Sequence, residues 1–279
     1  MDAIPLLLRA TQLNGDDPRH WCNLGVALSK AGFPDDSQAA MMTAANILDD
    51  TDRCALDADD GRLVGCVGVG IADKDPERSL KFEQLAVELA PDDAYTQGSY
   101  GLGLLNRGLA EDALPHLQGA LDLEPEDSDY AAYLLRGYID CDMFFEAMDL
   151  GEASMKKWPN ISDIRFNLAL VYLDHGQEQR STELFADYLR EFPDNAHAHG
   201  LAGVGYAFIG WDREARQEQE AARRLAGGEP SVDQLVSEID EIIDSDDGGV
   251  QEQDVGKNVL GMMLLAMAQR AARQRGSVT

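Results

Sequence analysis

The sequence predicts an all-α fold, a solenoid of tandem helix–turn–helix units. Three observations predict it. Apolar residues recur at three- and four-residue offsets along most of the 279-residue chain. Glycines and prolines punctuate those runs at regular intervals. The same spacing of small and large residues returns every 34 residues over four consecutive segments from Ala94 to Glu229.

The stretch "GLGLLNRGLAEDALPHLQGALDLEP", Gly101 to Pro125, defines one unit. Leu102, Leu104 and Leu105 form the apolar stripe of a first helix, and Ala113, Leu114, Leu117, Ala120, Leu121 and Leu123 that of a second. Gly108 stands where the first helix must stop, because glycine enters the left-handed region without a Cβ clash. Pro125 closes the second helix, since proline lacks an N–H and restricts the residue before it. Gly101 and Ala113 fall where the two helices approach most closely.

With Ala94 as position 1, the frame continues without a gap from Ser128, Ser162 and Ala196. Those copies carry Tyr138, Tyr172 and Tyr206 at position 11. Ala147 and Ala215 are at 20, Ser154 and Ala222 at 27, and Pro159 and Pro193 at 32, with Gly227 replacing the last proline. Upstream, Asp60 starts a copy with Ser79, Ala86 and Pro91 at 20, 27 and 32. Pro18 starts another with Trp21, Leu24, Gly25 and Leu28 at 4, 7, 8 and 11.

On these residues the chain resembles the tetratricopeptide repeat (TPR) proteins, whose unit has Trp-x-x-Leu-Gly-x-x-Tyr in its first helix and Ala, Phe, Ala and Pro in its second. Trp21 to Leu28 supplies W-x-x-L-G-x-x-L, and Tyr100 to Leu104 supplies Y-G-x-x-L, followed by Ala113, Leu117, Ala120 and Pro125. The resemblance implies a right-handed superhelical α-solenoid. Its organisation would be an N-terminal capping helix in 1–17, six repeats (18–51, 60–93, 94–127, 128–161, 162–195 and 196–229) and C-terminal helices in 230–279.

Two departures stand out. Eight residues, Asp52 to Asp59, are extra between the first two repeats. The first helix of the second repeat, "GRLVGCVGVGIAD", carries Gly61, Gly65, Gly68 and Gly70, each costing a helix roughly 1 kcal/mol relative to alanine. A frayed or tilted helix, or a short extended segment, is expected there. The glycines lack the G-x-G-x-x-G spacing of a phosphate-binding turn.

At the ends, Ile4 to Leu13 reads as the second helix of a partial unit covering the first full repeat. "SVDQLVSEIDEIIDS" has an apolar face with Ser231 as its N-cap, and a last helix is expected from about Asp254 to Arg273. That last helix combines Val255, Val259, Leu260, Met262, Met263, Leu264, Leu265 and Met267 with Arg270, Arg273 and Arg275. It can cap the array, plug its groove or join two copies as a homodimer.

The formal net charge of -28 disfavours nucleic-acid phosphates and anionic membranes as partners. Aspartate exceeds glutamate and lysine is scarce, which fits either salt adaptation or an ordinary solvated surface. Cys22, Cys54, Cys66 and Cys141 form no C-x-x-C pair and are expected as free thiols in a reducing compartment. The start of the chain has no basic, long apolar leader, and the longest late apolar run is too short for a bilayer, so a cytoplasmic chain is expected. No nucleophile elbow, P-loop or H-E-x-x-H occurs. His197 and His199, two apart, diverge on a helix. Neither enzyme activity, nor a cofactor, nor a metal site is expected.

Function is therefore sought on surfaces. In TPR proteins the first helices line a concave groove. The resemblance implies groove residues Tyr95, Leu102, Leu105 and Asn106; Arg136, Ile139 and Asp140; Phe166, Leu170, Leu173 and Asp174; and Val204 and Phe208. Their partner would be a protein or peptide with apolar anchors and basic flanks. A chaperone-tail clamp does not fit: Asn23 and Asn167 occupy position 6, but the accompanying lysines and arginines are missing.

Overall fold

The computed structural model describes residues 3–246, except 160 and 229. Among them lie fourteen α-helices, one 3-10 turn and no strand. The helices are α1 (Ala3–Leu13), α2 (Pro18–Lys30), α3 (Pro34–Asp50), α4 (Ala58–Ile71), α5 (Pro76–Leu89), α6 (Ala94–Leu105) and α7 (Ala110–Leu123). After them come α8 (Ser128–Asp140), α9 (Phe144–Lys157), α10 (Ser162–Asp174), α11 (Glu178–Glu191), α12 (Ala196–Phe208), α13 (Asp212–Ala226) and α14 (Pro230–Asp246). The expected last helix, with its capping, plugging and dimerising alternatives, lies outside the described residues. The described residues divide into two compact units after Gly137.

In the first unit α2 pairs with α3, α4 with α5 and α6 with α7, while α1 packs on α2. Its core holds Cys22, Met41, Ala44, Val64, Val67, Ile71, Phe82 and Ala86. In the second unit α10 packs on both α9 and α11, α12 pairs with α13, and α14 lies against α12 and α13. Its core centres on Phe166, Phe185, Leu201, Val204, Leu235 and Ile239.

The hairpin turns share one construction. The N–H groups of Phe33, Leu109, Met143, Gln177 and Trp211 donate to the carbonyls of Leu28, Leu104, Tyr138, Tyr172 and Tyr206, at 2.7–3.0 Å. Each bond spans five residues and closes a Schellman cap, whose penultimate residue must be left-handed. Gly32, Gly108, Gly176 and Gly210 supply it with φ between 68° and 81°, and Asp142 does so with φ of 56°. The second hairpin has Lys74 at this place and turns without a left-handed residue; there Asp75 N–H donates to Ile71 O at 2.9 Å.

The starts of the first helices explain part of the acidity. Asp17, Asp57 and Asp93 each accept a backbone N–H in the first turn of α2, α4 and α6, at 2.9–3.0 Å. Asp60 completes a reciprocal box by accepting the Asp57 N–H at 3.2 Å. At the other end, α14 begins at Pro230, so Ser231 lies inside its first turn and is not the N-cap.

The glycine-rich segment departs from expectation. It is neither frayed nor extended but a continuous helix, α4, and its glycines are contact points. A Cβ on Gly61 would lie 2.6 Å from Ala90 Cβ, and one on Gly68 would lie 3.1 Å from both Glu83 Cγ and Ser79 O. On the opposite side a Cβ on Gly70 would lie 2.6 Å from Met41 Cγ. Tertiary packing on α5 and α3 outweighs the poor helix propensity of these residues.

Two glycine substitutions should separate backbone from packing effects. Gly108 has φ +72° and no atom within 4 Å of an added Cβ, so Gly108→Ala should lose only the conformational term, about 1 kcal/mol. At Gly101 a Cβ would meet fully buried Leu117 at 2.7 Å, so Gly101→Ala should cost about 1–3 kcal/mol through overpacking. Urea midpoints of the two variants check the ranking; equal losses would contradict it.

Candidate functional site

The expected groove residues separate into surface and core. Tyr95 and Leu102 on α6 are half-buried and Asn106, just after it, is exposed. Arg136 on α8 is buried, and its guanidinium donates to Asn106 Oδ1 at 3.0 Å and to Leu105 O at 3.4 Å. That bond ties consecutive first helices together and directs the Asn106 amide: Oδ1 accepts from arginine and Nδ2 remains a donor. Leu105 itself is buried at 2 % exposure. Arg62 lies over the Tyr95 ring, 5.7 Å from its centroid. Leu102, Asn106 and Arg136 thus meet at the end of α6, while half-buried Tyr95 stands at its start beside Arg62.

In the second unit Ile139 and Leu173 are half-buried and Asp140 is exposed. Phe166, Leu170 and Val204 are different. They are 1 %, 4 % and 0 % exposed and belong to the core with Phe185, Leu201 and Tyr206. The Phe166 and Phe185 rings lie 5.8 Å apart. The expectation that these three residues form a groove surface is therefore corrected: both sides of α10 and α12 are covered by neighbouring helices, and the residues hold those helices together. Asp174 and Phe208 end α10 and α12, and their side chains lie outside those described.

A buried carboxylate beneath α6 was not foreseen. Glu83 is 2 % exposed; its Oε1 accepts from Ser79 Oγ at 2.9 Å, while Oε2 has no hydrogen-bond donor and sits 3.9 Å from Arg107 Nη1. Space for Oε2 exists because Gly103 has no side chain; a Cβ there would collide with it. Burial raises the Glu83 carboxyl to about 7, with Ser79 and Arg107 opposing the rise only in part. One carboxylate among so many gives no sign in the sequence of being buried. The glycine at position 10 of the following helix is the one local hint.

A 34-residue spacing of first-helix starts from α6 through α12, Schellman turns at position 15 and small residues at the crossings are now all in place. Both units are built of TPR-type helical hairpins. No family model matches the chain, and no curated protein matches it. Among solved structures, a MamA structure from AMB-1 is 19% identical, with 60% of this chain and 94% of that one covered and a TM-score of 0.47. A MamA structure from MSR-1 is 18% identical over 60% of this chain and 95% of that one, with a TM-score of 0.48. YrrB, described as a TPR protein with an unusual peptide-binding site, is 17% identical over 84% of this chain and 97% of that one, with a TM-score of 0.45.

The described residues contain no group of three or more His, Cys, Asp or Glu able to hold a metal ion. No helix among them is long and apolar enough to cross a membrane.

Two outcomes are expected from these placements. The double substitution Phe166→Ala, Leu170→Ala should destabilise the second unit severely, since each truncation alone costs about 2–5 kcal/mol in a packed core. Thermal unfolding followed by circular dichroism should show an early transition; an unchanged curve would return both residues to the surface. Glu83 makes stability depend on pH in an unusual direction. Its folded value, about 7, lies above the ordinary 4.5, so the folded chain keeps a proton that the unfolded chain has released. Stability should be highest near and below the ordinary value and fall as pH rises towards 7, by up to about 3 kcal/mol in all. Urea titrations at pH 5 and pH 8 should show this loss in the wild type and much less of it in Glu83→Gln.

Proposed function

We propose that this chain is a non-enzymatic scaffold that binds a protein or peptide along the first-helix face of its TPR-type hairpins. The observation that carries the reading is the Asn106–Arg136 pair. A buried guanidinium holds an exposed amide in one orientation, one turn beyond half-buried Leu102. A preset hydrogen-bond donor beside apolar surface suits an extended peptide, whose carbonyls need donors and whose side chains need apolar contact. Acidic character across the whole chain favours basic flanks on that partner, by attraction that weakens as salt rises. Of the expected site residues, Tyr95, Leu102, Asn106 and Arg136 carry this proposal on the first unit. Ile139, Asp140 and Leu173 are candidates on the second.

The test compares capture of native-cell proteins by the tagged wild type and by Leu102→Asp, Asn106→Ala. Both substitutions fall on partly or fully open positions, so the helical circular dichroism signal should persist, with some thermal stability lost because buried Arg136 gives up its Asn106 acceptor. A partner specific to the wild type should be lost from the variant by tenfold or more. Equal capture by a folded variant would remove this patch from the binding surface.

A further inference from the structure

The buried carboxylate of Glu83 lies beneath the turn of α6 that carries Leu102 and Asn106. Gly103 stands over it: a Cβ there would collide with Glu83 Oε2 and come within 3.2 Å of Arg107 Nη1. Arg107 follows Asn106 and is half-buried. Its Nη1 donates to Gly103 O at 2.6 Å, and its Nη2 donates to Pro76 O at the start of α5. The guanidinium therefore clasps the last turn of α6 to the first turn of α5. Nη1 also sits 3.9 Å from Glu83 Oε2, too far for a hydrogen bond, with no side chain on Gly103 to keep the two apart.

We propose that Glu83 is a proton switch for this end of α6: with the proton on, Arg107 keeps its clasp on Pro76 and Asn106 stays set against Arg136; with the proton off, Arg107 turns inward to the carboxylate and the clasp opens.

An ionised carboxylate seeks donors at both oxygens. Here Oε1 has the Ser79 hydroxyl, while buried Oε2 has none. The neutral acid makes no such demand, and burial keeps the group neutral up to about 7. Once it ionises, the donor at hand is Arg107 Nη1. A charge-assisted bond spans about 2.8 Å, so the guanidinium must move inward by about 1 Å. The group is rigid and planar, so Nη2 moves with Nη1 and leaves the Pro76 carbonyl. The Arg107 backbone belongs to the Schellman turn: its N–H donates to Leu104 O, that of Asn106 to Leu102 O and that of Leu109 to Leu104 O, each at 3.0 Å. A pull on Arg107 is thus felt at Asn106, whose Oδ1 must stay in place for its 3.0 Å bond from Arg136. The other titratable groups around Glu83 do not supply the missing donor. α4 faces it with Gly68, and the Cys66 of that helix acts on Tyr95. On α6, Tyr95 and Tyr100 sense the Glu83 charge, and burial holds both phenols above their ordinary range, so they stay neutral while Glu83 titrates. Asp112 of α7 and Glu88 of α5 act on Tyr100. With Asn106 as a peptide donor, partner affinity falls as pH rises through 7. That consequence rests on the function proposed above; the switch itself does not.

The experiment follows the isotopically labelled full chain by NMR from about pH 5 to about pH 9. The Glu83 carboxyl carbon, the Arg107 Nε–H and the Asn106 side-chain amide should move with one shared midpoint. Glu83→Gln should hold the last two at their low-pH positions throughout. Arg107→Gln removes the cation that favours ionisation. The Glu83 midpoint should then rise, by about half a pH unit or more, and the Asn106 amide should stop following it. The proposal is overturned if Glu83 does not titrate in this range, or if Arg107 and Asn106 stay still while it does. It is equally overturned if both move as much in Glu83→Gln, or if Arg107→Gln leaves the Glu83 midpoint unchanged. These signals need no partner. Failed capture by the Leu102 and Asn106 surface would therefore leave the switch standing, and a failed switch would leave that surface to its own test.

Discussion

Everything in this fold depends on how closely paired helices can approach. At the crossings the side chains are a hydrogen or a methyl: Ala44, Ala86, Ala113, Ala120, Ala147, Ala215 and Ala222 have no measurable exposure, and Gly101 lies directly against Leu117. Only at that separation do the larger residues, such as Leu117 and Phe185, fill the space between helices without voids. The turn geometry then follows. Helices held this near must reverse within a few residues, and the left-handed residue of a Schellman cap is the shortest way to do so. In the first unit a larger residue at a crossing would propagate into the next hairpin, because α4 also touches α2 and α6.

Much of this was legible in the sequence. The period, the small residues and the turn glycines all act locally, so Gly108 and Ala113 declare their roles from spacing alone. What was not legible is the direction in which an apolar residue points when a helix is covered on more than one side. In α12 every residue from Leu201 to Ala207 is buried, so the run carries no amphipathic signal that could assign Val204 to a surface or to the core. Phe166 and Leu170 share that ambiguity on α10. Leu102 and Asn106 are placed outward only by the groove positions that the resemblance implies, and Leu105, placed in the same way, is buried. The second-repeat glycines were misjudged for a related reason. Propensity describes an isolated helix, whereas the contacts of Gly61, Gly68 and Gly70 exist only after α3 and α5 are in place.

The acidic composition conceals three different uses of carboxylates. Asp17, Asp57 and Asp93 cap helices and satisfy backbone donors that would otherwise have none. Others meet arginines across helices, as Asp240 does with Arg216 and Arg223, in exposed pairs of little energetic weight. Glu83 belongs to neither group. It is tolerated in the core because Ser79 and Gly103 leave it a niche, and its proton equilibrium is set by lack of water instead of by a partner. Net charge counts all three alike, which is why composition speaks to solubility and partner sign but not to any single site.

The glycines of α4 also bear on how the chain reaches this state during synthesis. A nascent segment from Ala58 to Ile71 has little tendency to coil by itself; Met41, which meets Gly70, precedes it, but Ser79, Glu83 and Ala90 lie downstream. Emerging from the ribosome, it can meet α3 at once, but the contacts of Gly61 and Gly68 form only after α5 has followed. Structure in the second repeat therefore arrives by hairpin, not by helix, and a pause in translation between Ile71 and Leu89 would leave apolar Val64 and Val67 waiting in water.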